Sequence, residues 1–237
     1  MKHIELNTKV FALVEKMKAE LNSTVKLSNT SKLGVKSWSL QAINTCPASI
    51  GSDGELVDAC KGCYATSGNY RFANVKAPRE FNRLAWQEES FVQDFVKALH
   101  KERFFRWFDS GDMYNLRLAH KMLEIMQATP HVIHWLPTRM YKFKKFHAVI
   151  QQMAALENVV VRLSSDSVTG GMVGSELTDT NSTIVPEDAL GEYKGFICQA
   201  FYQDGKCLDC TACYDKQVKT IAYVGHGVSM KKNQKLI

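Results

Sequence analysis

The sequence predicts an α/β fold, a partial or complete TIM-like βα barrel with parallel strands and a cysteine-rich C-terminal segment. Three observations predict it. Strand-like and helix-like segments alternate through residues 104–166. Trp107, Trp135 and Arg162 recur at spacings of 28 and 27 residues, about one βα unit. The three strands of that stretch end in the polar runs Asp109-Ser-Gly-Asp112, Pro137-Thr-Arg139 and Ser164-Ser-Asp166. With 237 residues, 45% hydrophobic and 23% charged, the chain has ordinary globular composition, and residues 1–237 read as one domain.

The elements follow in order. Val10, Val14, Met17 and Leu21 lie at helical spacing, so residues 5–22 are expected to form an amphipathic helix. Residues 24–41 alternate weakly and suggest one or two short strands. Residues 46–70 carry Gly, Ser and Asp throughout and read as an ordered cysteine loop. A single helix is expected over 78–100, opening at Pro78 and burying Phe81, Leu84, Phe91, Phe95 and Leu99. The repeats then run strand 104–108, helix 113–128, strand 132–136, helix 141–156 and strand 159–163. Residues 167–195 show little periodicity and read as a long loop or lid. The segment 196–237 is cysteine-rich, with short strands expected near Phe196–Cys198 and Thr220–Val224.

No run of apolar residues is long enough for a transmembrane helix, so no membrane partner is expected. The start of the chain carries charges of both signs and lacks an apolar signal core, which points to the cytoplasm. Thirty basic against 24 acidic residues give +6, compatible with nucleic acid without favouring it. The basic runs Arg139–Lys145 and Lys231–Lys235 read as solvated surface. P-loop, dinucleotide-fingerprint and nucleophile-elbow motifs are missing.

Seven cysteines without a signal segment fit poorly with a disulfide framework. They form two groups: Cys46 with Cys60 and Cys63, and Cys198 with Cys207, Cys210 and Cys213. A CxxC pair sets two thiolates on one side of a tight turn, as a metal or cluster face requires. One such pair is equally a redox couple, whereas two groups in one chain point to metal. The CxxCxxC spacing of the second group is the one with which bacterial ferredoxins wrap a cubane, and Cys198 offers a fourth ligand. One or two [4Fe–4S] clusters are therefore expected, with zinc as the alternative at the C-terminal cysteines. Three thiolates on a four-iron cluster leave one iron open to a substrate.

In parallel α/β folds ligands bind at the carboxyl ends of the strands. That rule assembles Asp109, Ser110, Asp112, Thr138, Arg139, Ser165 and Asp166 on one rim. An arginine fork suits a carboxylate, and carboxylates suit an ammonium group or proton transfer. Asp109, Asp112 and Asp166 are the catalytic candidates; Ser110, Thr138, Arg139 and Ser165 are the substrate-binding ones. A small zwitterion such as an amino acid would fit that rim. The competing reading is that these residues merely cap the helices that follow. His131 and His134, an odd spacing apart, read as ordinary strand residues on opposite faces; His226, near the second cysteine group, reads as a ligand, a substrate contact or a surface residue.

The segments Lys26–Lys32, Cys60-Lys-Gly-Cys63-Tyr-Ala, Phe105–Asp112, Trp135–Arg139 and Gly205–Cys213 resemble the phage gene-product-88-like domain family along nearly the whole chain. The resemblance implies a phage-encoded protein working in the bacterial cytoplasm. The Cys60-x-x-Cys63-Tyr-Ala segment is also similar to the cluster loop of radical S-adenosylmethionine enzymes, which combine a partial parallel barrel with a three-cysteine open-iron cluster. It departs from them in that Cys46 lies fourteen residues before Cys60.

The function expected from these residues is an iron–sulfur lyase whose open iron acts as a Lewis acid on a small amino-acid-like substrate, as in cysteine-desulfidase-type elimination. The alternatives are a radical S-adenosylmethionine-like enzyme with an auxiliary cluster, and a metal-stapled protein that binds nucleic acid or a host protein.

Overall fold

The computed structural model describes residues 2–235. Eight strands form one sheet in the order β1-β2-β3-β4-β5-β6-β8-β7. Only β1 (Ser28–Asn29) pairs antiparallel, with β2 (Lys36–Trp38); every other pairing is parallel. The remaining strands are β3 (Phe104–Trp107), β4 (Ile133–Thr138), β5 (Val159–Ser164), β6 (Asn181–Val185), β7 (Phe196–Ile197) and β8 (Thr220–Val224). The helices are α1 (Lys2–Glu20), α2 (Asp58–Lys61), α3 (Ala73–Ala85), α4 (Phe91–Leu99), α5 (Leu116–Ala128), α6 (His147–Ala155) and α7 (Val228–Gln234).

One sheet face is covered by helices. Phe105 and Trp107 of β3, Leu136 of β4, and Val159, Val161 and Leu163 of β5 form one core with Phe91, Phe95, Met122 and Ile150 from α4, α5 and α6. Alternation along each strand sends Arg106, Trp135, Pro137, Ser164 and Tyr223 to the other face, where they line a cavity of about 770 Å³. Ser28 of β1 and Val224 of β8 line the same cavity, so the sheet curls around it.

The sheet is nonetheless open, and a closed barrel is not formed. Its edges β1 and β7 have two residues each, too few for a closing ladder. A contact outside the sheet spans the opening: the Cys207 N–H donates to the Lys32 carbonyl at 2.8 Å, and Leu33 packs against Cys198, Cys207 and Ile221.

Four expectations change. The helix expected over 141–156 begins only at His147, after two 3-10 turns at Met140–Lys142 and Lys144–Phe146. The helix foreseen over 78–100 is two helices, with Pro78 inside α3 and a break at 86–90. The broken turn is stabilised by Lys121, whose ammonium donates to the carbonyls of Trp86 and Glu88 at 3.0 and 2.6 Å. The 167–195 segment contains the inner strand β6, which its polar sequence NSTIV conceals. The Trp107–Trp135–Arg162 repeat does not align in register: Trp135 pairs with Arg106, and Arg162 with Pro137. Trp107 therefore lies in the helix-covered core while Trp135 faces the cavity.

Candidate functional site

The cysteine loop sits over the carboxyl ends of three strands because each strand end holds it. After β3, the Asp112 N–H donates to the Thr45 carbonyl at 3.0 Å. After β4, Lys142 donates to the Ala48 carbonyl at 3.0 Å. After β5, the Asp166 carbonyl accepts from Ala59 N–H at 2.9 Å. From below, α7 packs on the CxxC turn: Asn233 donates to the Asp58 carbonyl at 2.8 Å, and a Cβ at Gly62 would stand 2.9 Å from the Met230 Cα. The run ending in Lys231–Lys235 is thus a packed helix on its Met230 and Asn233 side, with Lys231 paired to Glu187 at 2.8 Å.

Cys46, Cys60 and Cys63 all line the cavity. Burial pushes the Cys46 thiol up to about 12, and the neighbouring Asp112 carboxylate and the two other thiols add to the rise. Burial also raises Cys60 and Cys63, while Arg139 pulls both back, as Lys142 does for Cys60. The second group opens on the same cavity through Cys198, Cys207 and Cys213; Cys210 is not in the lining but lies within electrostatic reach of Cys207. All seven cysteines are free thiols.

The second group is carried by a loop folded against the cavity face of the sheet. Buried Arg162 of β5 donates to the carbonyls of Ala212, Cys213, Asp215 and Val218 at 2.7–3.1 Å. Tyr214 packs on Phe104 and Trp135, with ring centroids 5.0 and 5.8 Å away. The Cys213 Sγ stands 3.5 Å from the Tyr223 hydroxyl. One cysteine group therefore caps the strand carboxyl ends, and the other fills the space beneath. Among the described residues no three His, Cys, Asp or Glu side chains are grouped closely enough to hold a single metal ion. A single tetrahedral zinc gathers its sulfurs to within roughly 4 Å of one another; a cubane holds them farther apart.

The rim residues come together as expected, but their polar atoms are already engaged. Asp109, Ser110, Asp112, Thr138, Arg139 and Ser165 line the cavity; Asp166 stands behind Arg139. Asp109 pairs with Arg79 at 3.0 Å and accepts from Tyr70 Oη at 3.1 Å and from Ser39. Asp112 is buried and accepts from Met113 N–H at 2.8 Å, Thr138 Oγ1 at 2.8 Å and Arg139 N–H at 2.9 Å; burial still raises its carboxyl above the usual range. Ser110 accepts from Arg79 Nε at 2.7 Å and donates to the Leu40 carbonyl at 2.7 Å. Ser165 Oγ accepts from Ser167 N–H at 3.1 Å. The Arg139 fork, foreseen as a substrate clamp, donates to Asp166 at 3.2 Å and the Ser165 carbonyl at 2.8 Å. Lys142 also pairs with Asp166, so the basic run 139–145 is partly built into the site.

Sequence reasoning missed Arg79, Arg106, Tyr64, Tyr70 and Tyr223. Arg106 carried a usable signal, since it alternates with Phe105 and Trp107 on a strand and must face the opposite side. His134 is a buried structural residue, bonded to Trp107 Nε1 at 3.2 Å and Thr129 Oγ1 at 2.9 Å; His131 precedes β4. His226 lines the large cavity and an adjoining one of about 240 Å³. No helix of the described residues is long and apolar enough to cross a membrane.

Searches of curated proteins and of solved structures give no match. A family model described as gene product 88 matches residues 12–233, nearly the whole chain and every segment of the site. The chain belongs to the gene product 88 family.

Proposed function

We propose that this chain is an iron–sulfur enzyme in which Cys46, Cys60 and Cys63 hold a [4Fe–4S] cluster facing a small, amino-acid-like substrate. The observation that carries the reading is that three thiols from two turns of one pinned loop line a single cavity. The donor set fits: three thiols serve a cubane with one iron left open, whereas a closed zinc site takes four ligands. When bound, the cluster supplies a Lewis acid for the substrate's leaving group, as in cysteine-desulfidase-type elimination.

The chain's own residues do the rest. Arg139, locked by Asp166 and the Ser165 carbonyl, fixes a positive charge beside Cys60 and Cys63 and favours their thiolates. Tyr70 lines the cavity and donates its hydroxyl to Asp109, and burial raises that phenol, so the Tyr70–Asp109 pair keeps a proton beside the substrate. Cys198, Cys207, Cys210 and Cys213 would hold a second centre, a further cluster, whose wider sulfur spacing suits them better than a single zinc. Lys32, Arg106 and Arg162 offset its thiolate charge.

Anaerobic purification with iron, sulfide and zinc counts tests this. About four irons per chain fit one cluster and about eight fit two. Cys46→Ala should lose the first cluster and keep the second. A protein with zinc and no iron, or a cluster spectrum that small thiol or hydroxy amino acids leave unchanged, would sink the reading. Radical S-adenosylmethionine chemistry is the second reading, favoured by a cavity of about 770 Å³ that both cysteine groups line. Formation of 5′-deoxyadenosine on reduction with adenosylmethionine separates the two.

A further inference from the structure

Three arginines line the cavity, and two are neutralised within the fold: Arg79 by Asp109 and Arg139 by Asp166. Arg106 is not. Among the described residues it has no carboxylate in ion-pair range; the Tyr64 hydroxyl meets its guanidinium and Asp109 lies within electrostatic reach, but its buried Nε has no acceptor. Its guanidinium carbon lies 4.6 Å from the ring centroid of Trp135, its registered neighbour on β4. The buried indole N–H of Trp135 has no acceptor either. Lys32, across the opening of the sheet, also lines the cavity without an ion pair among the described residues; its ammonium stands 5.6 Å from the Tyr223 ring centroid.

A guanidinium held away from bulk water without a counter-charge is costly, and a fork-shaped donor set matches two-oxygen anions. The Arg139 clamp expected from sequence is occupied by a carboxylate and a carbonyl; the Arg106 clamp meets only the Tyr64 hydroxyl. We propose that Arg106 anchors the anionic oxygen group of a small ligand in this cavity, stacked on Trp135 with Lys32 as the second cation. The group is the carboxylate of the amino-acid-like substrate. The assignment rests on the small-substrate reading above for the ligand's identity, but it needs no cluster.

The experiment therefore uses the metal-free full-length chain, so that failure of the cluster reading leaves it standing and the reverse. Trp135 fluorescence, assigned with Trp135→Phe, is followed while L-serine, ethanolamine or inorganic phosphate is added. L-serine should change the signal and saturate; ethanolamine, which lacks the carboxylate, should not. Arg106→Gln should weaken L-serine at least tenfold, and Arg106→Lys, which keeps the charge but loses the fork, by a smaller factor. Without ligand, Arg106→Gln should melt close to wild type, because the half-buried guanidinium has no carboxylate partner to leave stranded; a purely structural arginine would lower the Tm clearly. Wild-type affinity in either Arg106 variant, no L-serine binding to wild type, or tighter binding of phosphate than of L-serine would overturn the assignment.

Discussion

Asp109 stands where a catalytic carboxylate was expected, and its pairing with Arg79 makes a quantitative claim. Arg79 donates from Nη2 to Asp109 at 3.0 Å, from Nε to Ser110 at 2.7 Å and from Nη1 to the Val75 carbonyl at 2.6 Å. The Arg79 and Asp109 side chains are only 8% and 10% exposed. Arg79→Met removes the cation and leaves the carboxylate with Tyr70 and Ser39. Removing one partner of a buried pair costs about 3–5 kcal/mol, because the other charge stays desolvated. At roughly 2–4 °C per kcal/mol for a chain of this size, Tm should fall by roughly 6–20 °C. Asp109→Asn in the same background should recover part of that loss, with a coupling of about 2 kcal/mol or more in the double-mutant cycle. Urea and thermal melts of the four proteins measure it. Strictly additive effects, or an Arg79→Met variant within about 1 kcal/mol of wild type, would show that the pair is solvated and that Asp109 is free for other work.

Two further perturbations have defined signs. Burial pushes His134 down to about 3, and its bonds fix the neutral form: Nδ1 accepts from Trp107, while Nε2–H donates to Thr129, whose hydroxyl donates to the Ile125 carbonyl. The unfolded chain protonates this residue below about pH 6.5 and the folded chain does not, so stability is present above that pH and lost below it, at about 1.4 kcal/mol per pH unit. Between pH 7.5 and 4.5 that is about 2–3 kcal/mol; if His134→Gln loses stability with acid in parallel with wild type, another group is responsible. At Gly111 (φ 84°) an added Cβ would lie 2.6 Å from Leu40 Cβ and 2.8 Å from Thr45 Oγ1. Gly111→Ala should cost about 2–4 kcal/mol in urea melts by combining a left-handed backbone with overpacking, and a loss under about 0.5 kcal/mol would contradict the packing at this turn.

The βα repeats were legible because their signal is local. Strands β3, β4 and β5 follow the expected segments within two residues at either end, and α5 starts where Asn115 caps it by accepting from the N–H groups of Arg117 and Leu118. What failed was non-local. The apolar positions of α3 and α4 keep one helical period through the break at 86–90, whose carbonyls are stabilised by Lys121 from a later helix. Strand β6 is central in the sheet yet reads Asn-Ser-Thr-Ile-Val, because Ser182, Thr183 and Ile184 line a cavity, with Ile184 also packed on the small cluster of Ala59, Val168 and Met230. A repeat in sequence is also not a repeat in register, as Trp107 and Trp135 show by facing opposite sides of the sheet.

For the site, residue types were legible and their charge state was not. Asp109, Arg139 and Asp166 on one rim point, from sequence, to a zwitterionic partner, since mixed charge suits one. Closing those charges against one another needed Arg79, thirty residues from Asp109 on another element, and the reach of Arg139 across to the end of β5. Once Arg79 and Asp109, Arg139 and Asp166, and Asp112 and its three donors are set aside, the cavity keeps Arg106 and Lys32 as its unpaired cations among the described residues. Facing them are six cysteine side chains that burial, for Cys46, Cys60, Cys63, Cys207 and Cys213, holds toward the protonated form. A metal would convert those thiols to thiolates and an anionic ligand would meet Arg106 directly; both supply negative charge to the same space. That surplus of positive charge separates the cavity from an ordinary void between a sheet and its loops.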